Sequence, residues 1–281
     1  ASVVCVRTQS VVPVSWAVQM KGVLTGSTGY DHLVECRRKT GPKISYGYLP
    51  AYCSRAVAEQ AILMLLALSR KLPRQMNQLK MFCRDGLMGR EILGKRLLVV
   101  GVGRIGRECV LMAKGLGMKV KGVDLEKREE DVDYVSLEQG LRWADAVICA
   151  LPLTLATREL LNYAAFSLVR PGLLFVNVGR GEVSPLKDMG LALSQGLLAG
   201  AALDVYPQEQ EIAGALRREG REAEIFKTFE RMMKEYNVLF TPHNAFNTEE
   251  SVERKAQQTI ESVIHFLKTG FFLDEVPAGK E

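Results

Sequence analysis

Three short stretches carry side chains whose types and spacing could do chemistry. TPHNAF sets His243, one of three histidines in 281 residues, between a proline and an asparagine after the apolar run NVLF. A free imidazole titrates near pH ~6.5, so it can give or take a proton close to neutrality. NVGRGE sets Arg180 between two glycines at the end of another apolar run. A guanidinium offers forked donors to a carboxylate or a carbonyl oxygen, and the flanking glycines suggest a crowded turn where backbone approaches ligand. GSTGYDHL follows a third apolar run, and successive amides around Ser27, Thr28 and Gly29 can cradle an anion. Each alone has a plainer reading: a strand cap, a surface arginine, an ordinary turn. His265 lies among Val263, Ile264 and Phe266 and reads as structural. His32 follows the GSTGYD turn, and is expected near a ligand without moving a proton.

The most specific passage is LLVVGVGRIGRECVLMAKGLGMKVKGVD. A strand-like run enters Gly101, Gly103 and Gly106, a helix-length segment follows, and a second strand ends at Asp124. The first glycine permits a tight turn, the second lets amides approach a pyrophosphate, and the third lets helix and strand pack closely. A helix beginning there offers unpaired N–H groups to phosphate, with Arg104 and Ile105 in the same turn. Asp124 can accept hydrogen bonds from the adenosine ribose and would repel a 2′-phosphate, so the expected cofactor is NAD rather than NADP.

These residues need a scaffold of parallel strands. Short β-branched runs alternate with helix-length segments, the pattern of an α/β fold. SVVCV, KGVLTG, KISYGYL, LLVVG, VKGV, AVICAL, LLFVNV, AGAALDV and NVLFTP read as strands. AVAEQAILMLLALSR (56–70) is apolar nearly all round and reads as a buried helix. A closing helix is expected over 248–269, with Asn247 as N-cap, Glu250 three residues on and Gly270 as stop. The charged stretch from about Pro207 to Tyr236, with Ile225, Phe226, Phe229, Met232 and Met233 at helical spacing, reads as a surface helix in a solvated insertion.

Composition narrows the function classes. The chain is 47% hydrophobic and 25% charged with net charge +5, the proportions of a globular protein able to bury a sizeable core. Lys and Arg are interleaved with Asp and Glu, so no basic stripe points to nucleic acid. Cys5, Cys36, Cys53, Cys83, Cys109 and Cys149 show no CxxC pair, which suits free thiols in a reducing cytoplasm. No signal-peptide layout or membrane-length apolar run is evident, and no cluster has metal-ligand spacing.

GSTGYDHL, AVAEQ, the glycine-rich loop, LPLT–AT, NVGRGE, AGAALDVYPQE and TPHNAF fall in one order. Together they resemble the D-isomer-specific 2-hydroxyacid dehydrogenases over nearly the whole chain. LPAYCS and TPHNAF, with Tyr52 and Phe246, further resemble the D-lactate dehydrogenase-like branch. The resemblance implies two Rossmann-like domains, with an NAD-binding domain (73–245) inserted in a flavodoxin-like substrate domain (1–72 and 246–281). Relatives usually carry several dozen further residues at the start, so an N-terminal part is expected to be missing. Gln60 and Gln210 stand where many members carry histidine and proline.

It further implies an NAD-dependent interconversion of a 2-oxo acid and a D-2-hydroxy acid, pyruvate and D-lactate first among them. Arg180 would hold the substrate, His243 would be the acid/base, and Glu209 in LDVYPQEQ would partner the histidine, favouring its imidazolium form and fixing its tautomer. Glutamine in that role, from Gln208 or Gln210, would suit a formate dehydrogenase. Pro152 and Thr157 would lie under the NAD ribose, Val178 would line the cofactor site, and Asp204 would accept from the nicotinamide carboxamide. Ser27, Thr28 and Gly29 would take the substrate carboxylate, with Tyr52 and Phe246 restricting side-chain size. A homodimer, no nucleic acid and no membrane partner complete the expectation. The alternative is a non-catalytic NAD-sensing module of the corepressor kind.

Overall fold

The computed structural model describes residues 2–7, 10, 12–217 and 221–277. The chain divides into two compact units, Ala1–Ala56 with Phe246–Glu281, and Val57–Ala245.

The first unit holds a parallel sheet of three strands in sequential order, β1 (Val3–Val6), β2 (Gly22–Thr25) and β3 (Ser45–Gly47). Val23, Leu33, Cys36, Tyr46 and Val276 form its core. Helix Asp31–Thr40 follows the GSTG turn. The chain's last described segment packs where two strands lack side chains. A Cβ on Gly22 would stand 2.7 Å from the Phe266 ring and one on Gly47 would stand 2.5 Å from Phe272. The two rings stack at 4.6 Å. Helix Glu249–Thr269 ends at Gly270 in the left-handed region, as the sequence leads one to expect. Its N-cap differs: Thr248, not Asn247, accepts from the Ser251 amide, because a hydroxyl three residues ahead of that donor makes the same bond.

The second unit is a seven-stranded parallel sheet made of β4 (Arg96–Val100), β5 (Lys119–Val123), β6 (Asp133–Tyr134), β7 (Ala146–Cys149), β8 (Leu173–Asn177), β9 (Leu198–Leu203) and β10 (Val238–Phe240). Their order is β10-β9-β8-β7-β4-β5-β6. The order reverses between β4 and β7, and ligands of open α/β sheets bind outside strand C-termini at such a switch point. The central strands are buried on both faces, which explains their unbroken apolar runs.

The division at 56/57 falls in the first turn of helix Ser54–Ser69. Its far end is tied into the second unit. The Leu68 carbonyl accepts from Asn237 Nδ2 at 3.1 Å and the Ser69 carbonyl accepts from the Arg90 amide at 2.8 Å.

The charged stretch also departs from expectation. It forms two helices, Glu209–Leu216 and Glu224–Glu235, with residues 218–220 outside the described chain. Phe226, Phe229 and Met232 are buried against the sheet, while Met233 is exposed. It is therefore part of the second core rather than a solvated insertion. Among the described residues no helix is long and apolar enough to cross a membrane.

Candidate active site

In the second unit every candidate residue stands beyond the C-terminal end of a parallel strand. Val178 and Arg180 follow β8, Asp204 and Glu209 follow β9, and His243 follows β10, three adjacent strands. Parallel pairing carries these loops to one edge of the sheet.

His243 and Glu209 meet there. His243 Nδ1 lies 2.9 Å from Glu209 Oε2 and 3.1 Å from Oε1, with the side chains 26% and 27% exposed. The two are partly screened yet open to a ligand. His243 has φ +51°, an arrangement that costs a non-glycine residue roughly 1–2 kcal/mol. Its own loop holds it there. Asp204, 1% exposed, accepts from Thr241 Oγ1 at 2.6 Å, from the Asn244 amide at 2.9 Å and from the Ala245 amide at 2.9 Å. The Tyr206 hydroxyl sits between the Leu203 carbonyl at 3.0 Å and the Thr241 carbonyl at 2.7 Å. Burial, with the charges of Asp204 and Glu209, pushes that phenol well above its ordinary range, so it stays a neutral donor. The Asp204 carboxylate, expected beside a nicotinamide, is thus already engaged with three donors of the histidine loop.

Arg180 rests on a second braced turn. Asn177, fully buried, accepts from the Gly179 amide at 3.0 Å and donates to the Arg180 carbonyl at 3.0 Å and to Ser184 Oγ at 3.0 Å. The glycines on either side are there for space. A Cβ on Gly179 would stand 2.5 Å from the Leu151 carbonyl oxygen, and one on Gly181 1.9 Å from the Tyr206 backbone carbon. The Gly181 contact locks the Arg180 turn against the turn that leads into Glu209. One Arg180 guanidinium nitrogen donates to the Gly179 carbonyl at 2.9 Å.

The glycine-rich turn joins β4 to helix Arg104–Gly115, which has Gly103 as N-cap and no side-chain cap. Its first-turn amides, including Arg104 and Ile105, have no intrahelical acceptor, the arrangement that can receive a phosphate. A Cβ on Gly106 would collide with the Gly101 carbonyl oxygen at 1.9 Å, whereas nothing lies within 4 Å of one on Gly103. Close packing on one side and open space on the other fit a dinucleotide pyrophosphate. Asp124 accepts from the Val102 amide at 2.7 Å and from the Glu126 amide at 3.0 Å, joining the acid to the loop. Downstream, Arg128 is paired with Glu126.

Three cofactor candidates, Pro152, Thr157 and Val178, are placed less directly. The Thr157 hydroxyl donates to the Pro152 carbonyl at 2.7 Å and accepts from the Thr154 amide at 2.8 Å, which shapes an exposed turn after β7. Val178 is buried, and its amide donates to the Cys149 carbonyl at 3.0 Å. Among the described residues no group of His, Cys, Asp and Glu could hold a metal ion.

In the first unit the 26–29 loop follows β2. Its hydroxyls hold the loop itself. Ser27 Oγ donates to the Gly29 carbonyl at 2.8 Å, and Thr28 Oγ1 donates to the Leu49 carbonyl at 3.0 Å. Three successive amides, of Ser27, Thr28 and Gly29, lie in this loop, the arrangement that can cradle an anion. Tyr52, 3% exposed, and Phe246 pack edge to face at 6.4 Å, and Arg254 Nε holds the Tyr52 carbonyl at 2.9 Å. Cys53, also buried, has its thiol pushed up by burial. His32 stands in the first turn of helix Asp31–Thr40 and His265 near the end of the last helix, neither of them in the second unit with Glu209. Sequence reasoning missed Asn177, Tyr206 and Thr241. Only Asn177 left a signal, a polar residue ending the apolar run LLFV.

Comparison with known proteins gives the family. The family described as D-isomer specific 2-hydroxyacid dehydrogenase, NAD binding domain, matches residues 62–245. A D-lactate dehydrogenase of Lactiplantibacillus plantarum is 32% identical over 258 residues, covering 89% of this chain and 76% of the relative. An aromatic 2-oxoacid reductase of Clostridium sporogenes is 31% identical over 231 residues, 79% of this chain and 69% of the relative. Among solved structures, a D-lactate dehydrogenase from Aquifex aeolicus complexed with NAD and lactic acid superposes with a TM-score of 0.89. It is 29% identical and covers 100% of this chain and 88% of its own.

Proposed function

We propose that this chain, which belongs to the D-isomer specific 2-hydroxyacid dehydrogenase family, interconverts pyruvate and D-lactate with His243 as its acid/base. At the level of class it is an NAD-dependent D-2-hydroxyacid dehydrogenase, an oxidoreductase of 2-oxo and 2-hydroxy acids. The observation that carries the finer reading is the imidazole–carboxylate pair of His243 and Glu209, on strand ends adjacent to the Arg180 turn.

Bound NAD supplies the hydride donor or acceptor for the carbon that bears the substrate oxygen. The protein's own groups do the rest. Arg180 draws electron density from the carbonyl through forked donors. With Nδ1 committed to Glu209, His243 Nε2 delivers a proton to the oxygen as it becomes an alkoxide, and takes it back in the oxidation direction. Glu209 fixes the ring's orientation and tautomer. Ser27, Thr28 and Gly29 offer amides to the substrate carboxylate, and the Tyr52–Phe246 pair favours a short side chain. Asp124 selects NAD over a 2′-phosphorylated cofactor. Gly101, Gly103, Arg104, Ile105 and Gly106 carry the pyrophosphate, with Pro152, Thr157, Val178 and Asp204 completing the cofactor site.

The reading extends to an NAD-binding domain inserted between the two parts of a substrate domain, and to a cytoplasmic homodimer. All six cysteines are free thiols, which suits a reducing compartment. The test is NADH consumption with pyruvate, glyoxylate, hydroxypyruvate and a branched 2-oxo acid, with the product's configuration determined. Formation of D-lactate, abolished by His243→Ala, is expected. NADH binding with no turnover of any 2-oxo acid would sink the reading.

A further inference from the structure

Two cations stand near the 26–29 loop of the first unit, Lys255 and Arg7. Lys255, on helix Glu249–Thr269, places its ammonium 5.6 Å from the Tyr52 ring centroid and 5.5 Å from that of Phe246. Its Cε and Nζ lie 3.0 and 3.6 Å from where a Cβ would stand on Gly26, the residue that opens the loop. Burial, and then the charge of Arg7 just past β1, hold the lysine below its ordinary value.

No carboxylate among the described residues forms an ion pair with Lys255 or Arg7. Elsewhere Lys39, Lys114, Lys121 and Lys234 each have one. A partly buried cation beside a second cation is unfavourable unless an anion arrives. The two ring faces offset only part of that cost.

The loop amides account for one carboxylate. They leave the two cations and the rings that flank the substrate side chain with no anionic partner. We infer that Lys255 is a specificity-determining residue that receives the second, distal carboxylate of a short 2-oxo diacid. Diacids of four or five carbons thereby join pyruvate in the substrate range. The chemistry is unchanged: NADH gives a hydride to C2, the acid/base gives a proton to its oxygen, and a 2-hydroxy diacid and NAD result. The inference rests on the proposed assignment of the loop, Tyr52 and Phe246 to the substrate.

The experiment compares each diacid with the monoacid of equal chain length, oxaloacetate with 2-oxobutyrate and 2-oxoglutarate with 2-oxopentanoate. The reduced product is quantified, because oxaloacetate loses CO2 to give pyruvate. Wild type, Lys255→Met and Lys255→Arg are each assayed. In wild type at least one diacid should exceed its monoacid by roughly tenfold in kcat/KM, a usual size for one charge-assisted contact. Lys255→Met should bring that ratio near one while changing pyruvate turnover less than about threefold, and Lys255→Arg should restore much of it.

Three results would overturn the inference and leave the dehydrogenase reading intact. They are no diacid advantage in wild type, a ratio that survives Lys255→Met, and an equal loss for diacid and monoacid. The last would put the lysine on the shared carboxylate. If wild type binds NADH and reduces no 2-oxo acid at all, both fall together.

Discussion

Thr241 Oγ1 donates a 2.6 Å hydrogen bond to Oδ1 of Asp204, two residues ahead of His243, and the same carboxylate accepts the amides of Asn244 and Ala245 beyond it. One buried acid at the end of β9 therefore grips the β10 loop on both sides of a histidine held at φ +51°. In Asp204→Asn a single carbonyl oxygen replaces two carboxylate oxygens, and at least one of the three donors loses its partner. The expected destabilisation is about 1–3 kcal/mol by denaturant titration. Turnover should fall by roughly tenfold or more as the imidazole drifts, and NADH affinity should weaken with it, since the same carboxylate is proposed to complete the cofactor site. An unchanged NADH affinity would leave Asp204 as a brace of the histidine loop alone.

The pairing of His243 with Glu209 predicts that neither acts alone. His243→Ala should lower kcat by roughly 10²–10⁴-fold in both directions, while fluorescence titration still shows NADH binding. Glu209→Gln keeps the size of the side chain but replaces one of the two oxygens that hold Nδ1 with an amide nitrogen. kcat should fall by roughly tenfold or more as the ring loses its orientation, with NADH affinity unchanged. Full activity in this variant would remove Glu209 from the site.

Asp124 ties cofactor choice to loop geometry. Its carboxylate accepts the Val102 amide at 2.7 Å inside the glycine-rich turn. Serine at this position can still accept that bond but no longer repels a 2′-phosphate. Asp124→Ser is expected to raise kcat/KM with NADPH by about 10–100-fold and to lower it with NADH, since like charges in contact cost several kcal/mol. Unaltered preference would mean that the adenosine ribose lies away from Asp124.

The readable parts of the chain were those in which one local rule decides. Gly101, Gly103 and Gly106 could be assigned because each answers a separate steric demand along one strand–turn–helix unit. The central strands β4, β7 and β8 were visible because strands buried on both faces need unbroken apolar runs. β6 was not visible: Asp133–Tyr134 is two residues inside EEDVDYV, a strand only because Lys121 and Gly122 of β5 lie alongside. The ring cluster beneath Glu209 was hidden for a similar reason. Phe226 and Phe229 come from a charged helix, Phe240 from a strand and Tyr206 from a turn, and only the fold brings their rings within 4.7 to 6.2 Å of one another. Asp204 shows the limit most clearly. Its place after AGAAL was legible, but its three donors come from residues 37 to 41 positions away.

Assembly can be tested at the start of the second unit. Met76, Leu79, Met81 and Phe82 are 68%, 68%, 76% and 81% exposed, and Met88 is 88% exposed. Five large apolar side chains within 13 positions would be an unfavourable surface for an isolated chain in water, since patches of this kind mark contact surfaces. Phe82 also stands at φ +47°, a conformation that costs it roughly 1–2 kcal/mol and that a packed partner would offset. The expected result is a dimer by light scattering for wild type and a monomer for the double variant Met76→Asp, Phe82→Asp, with NADH still bound because the glycine-rich turn is untouched. A double variant that remains dimeric would move the contact elsewhere, and a monomeric wild type would remove the homodimer from the proposed function.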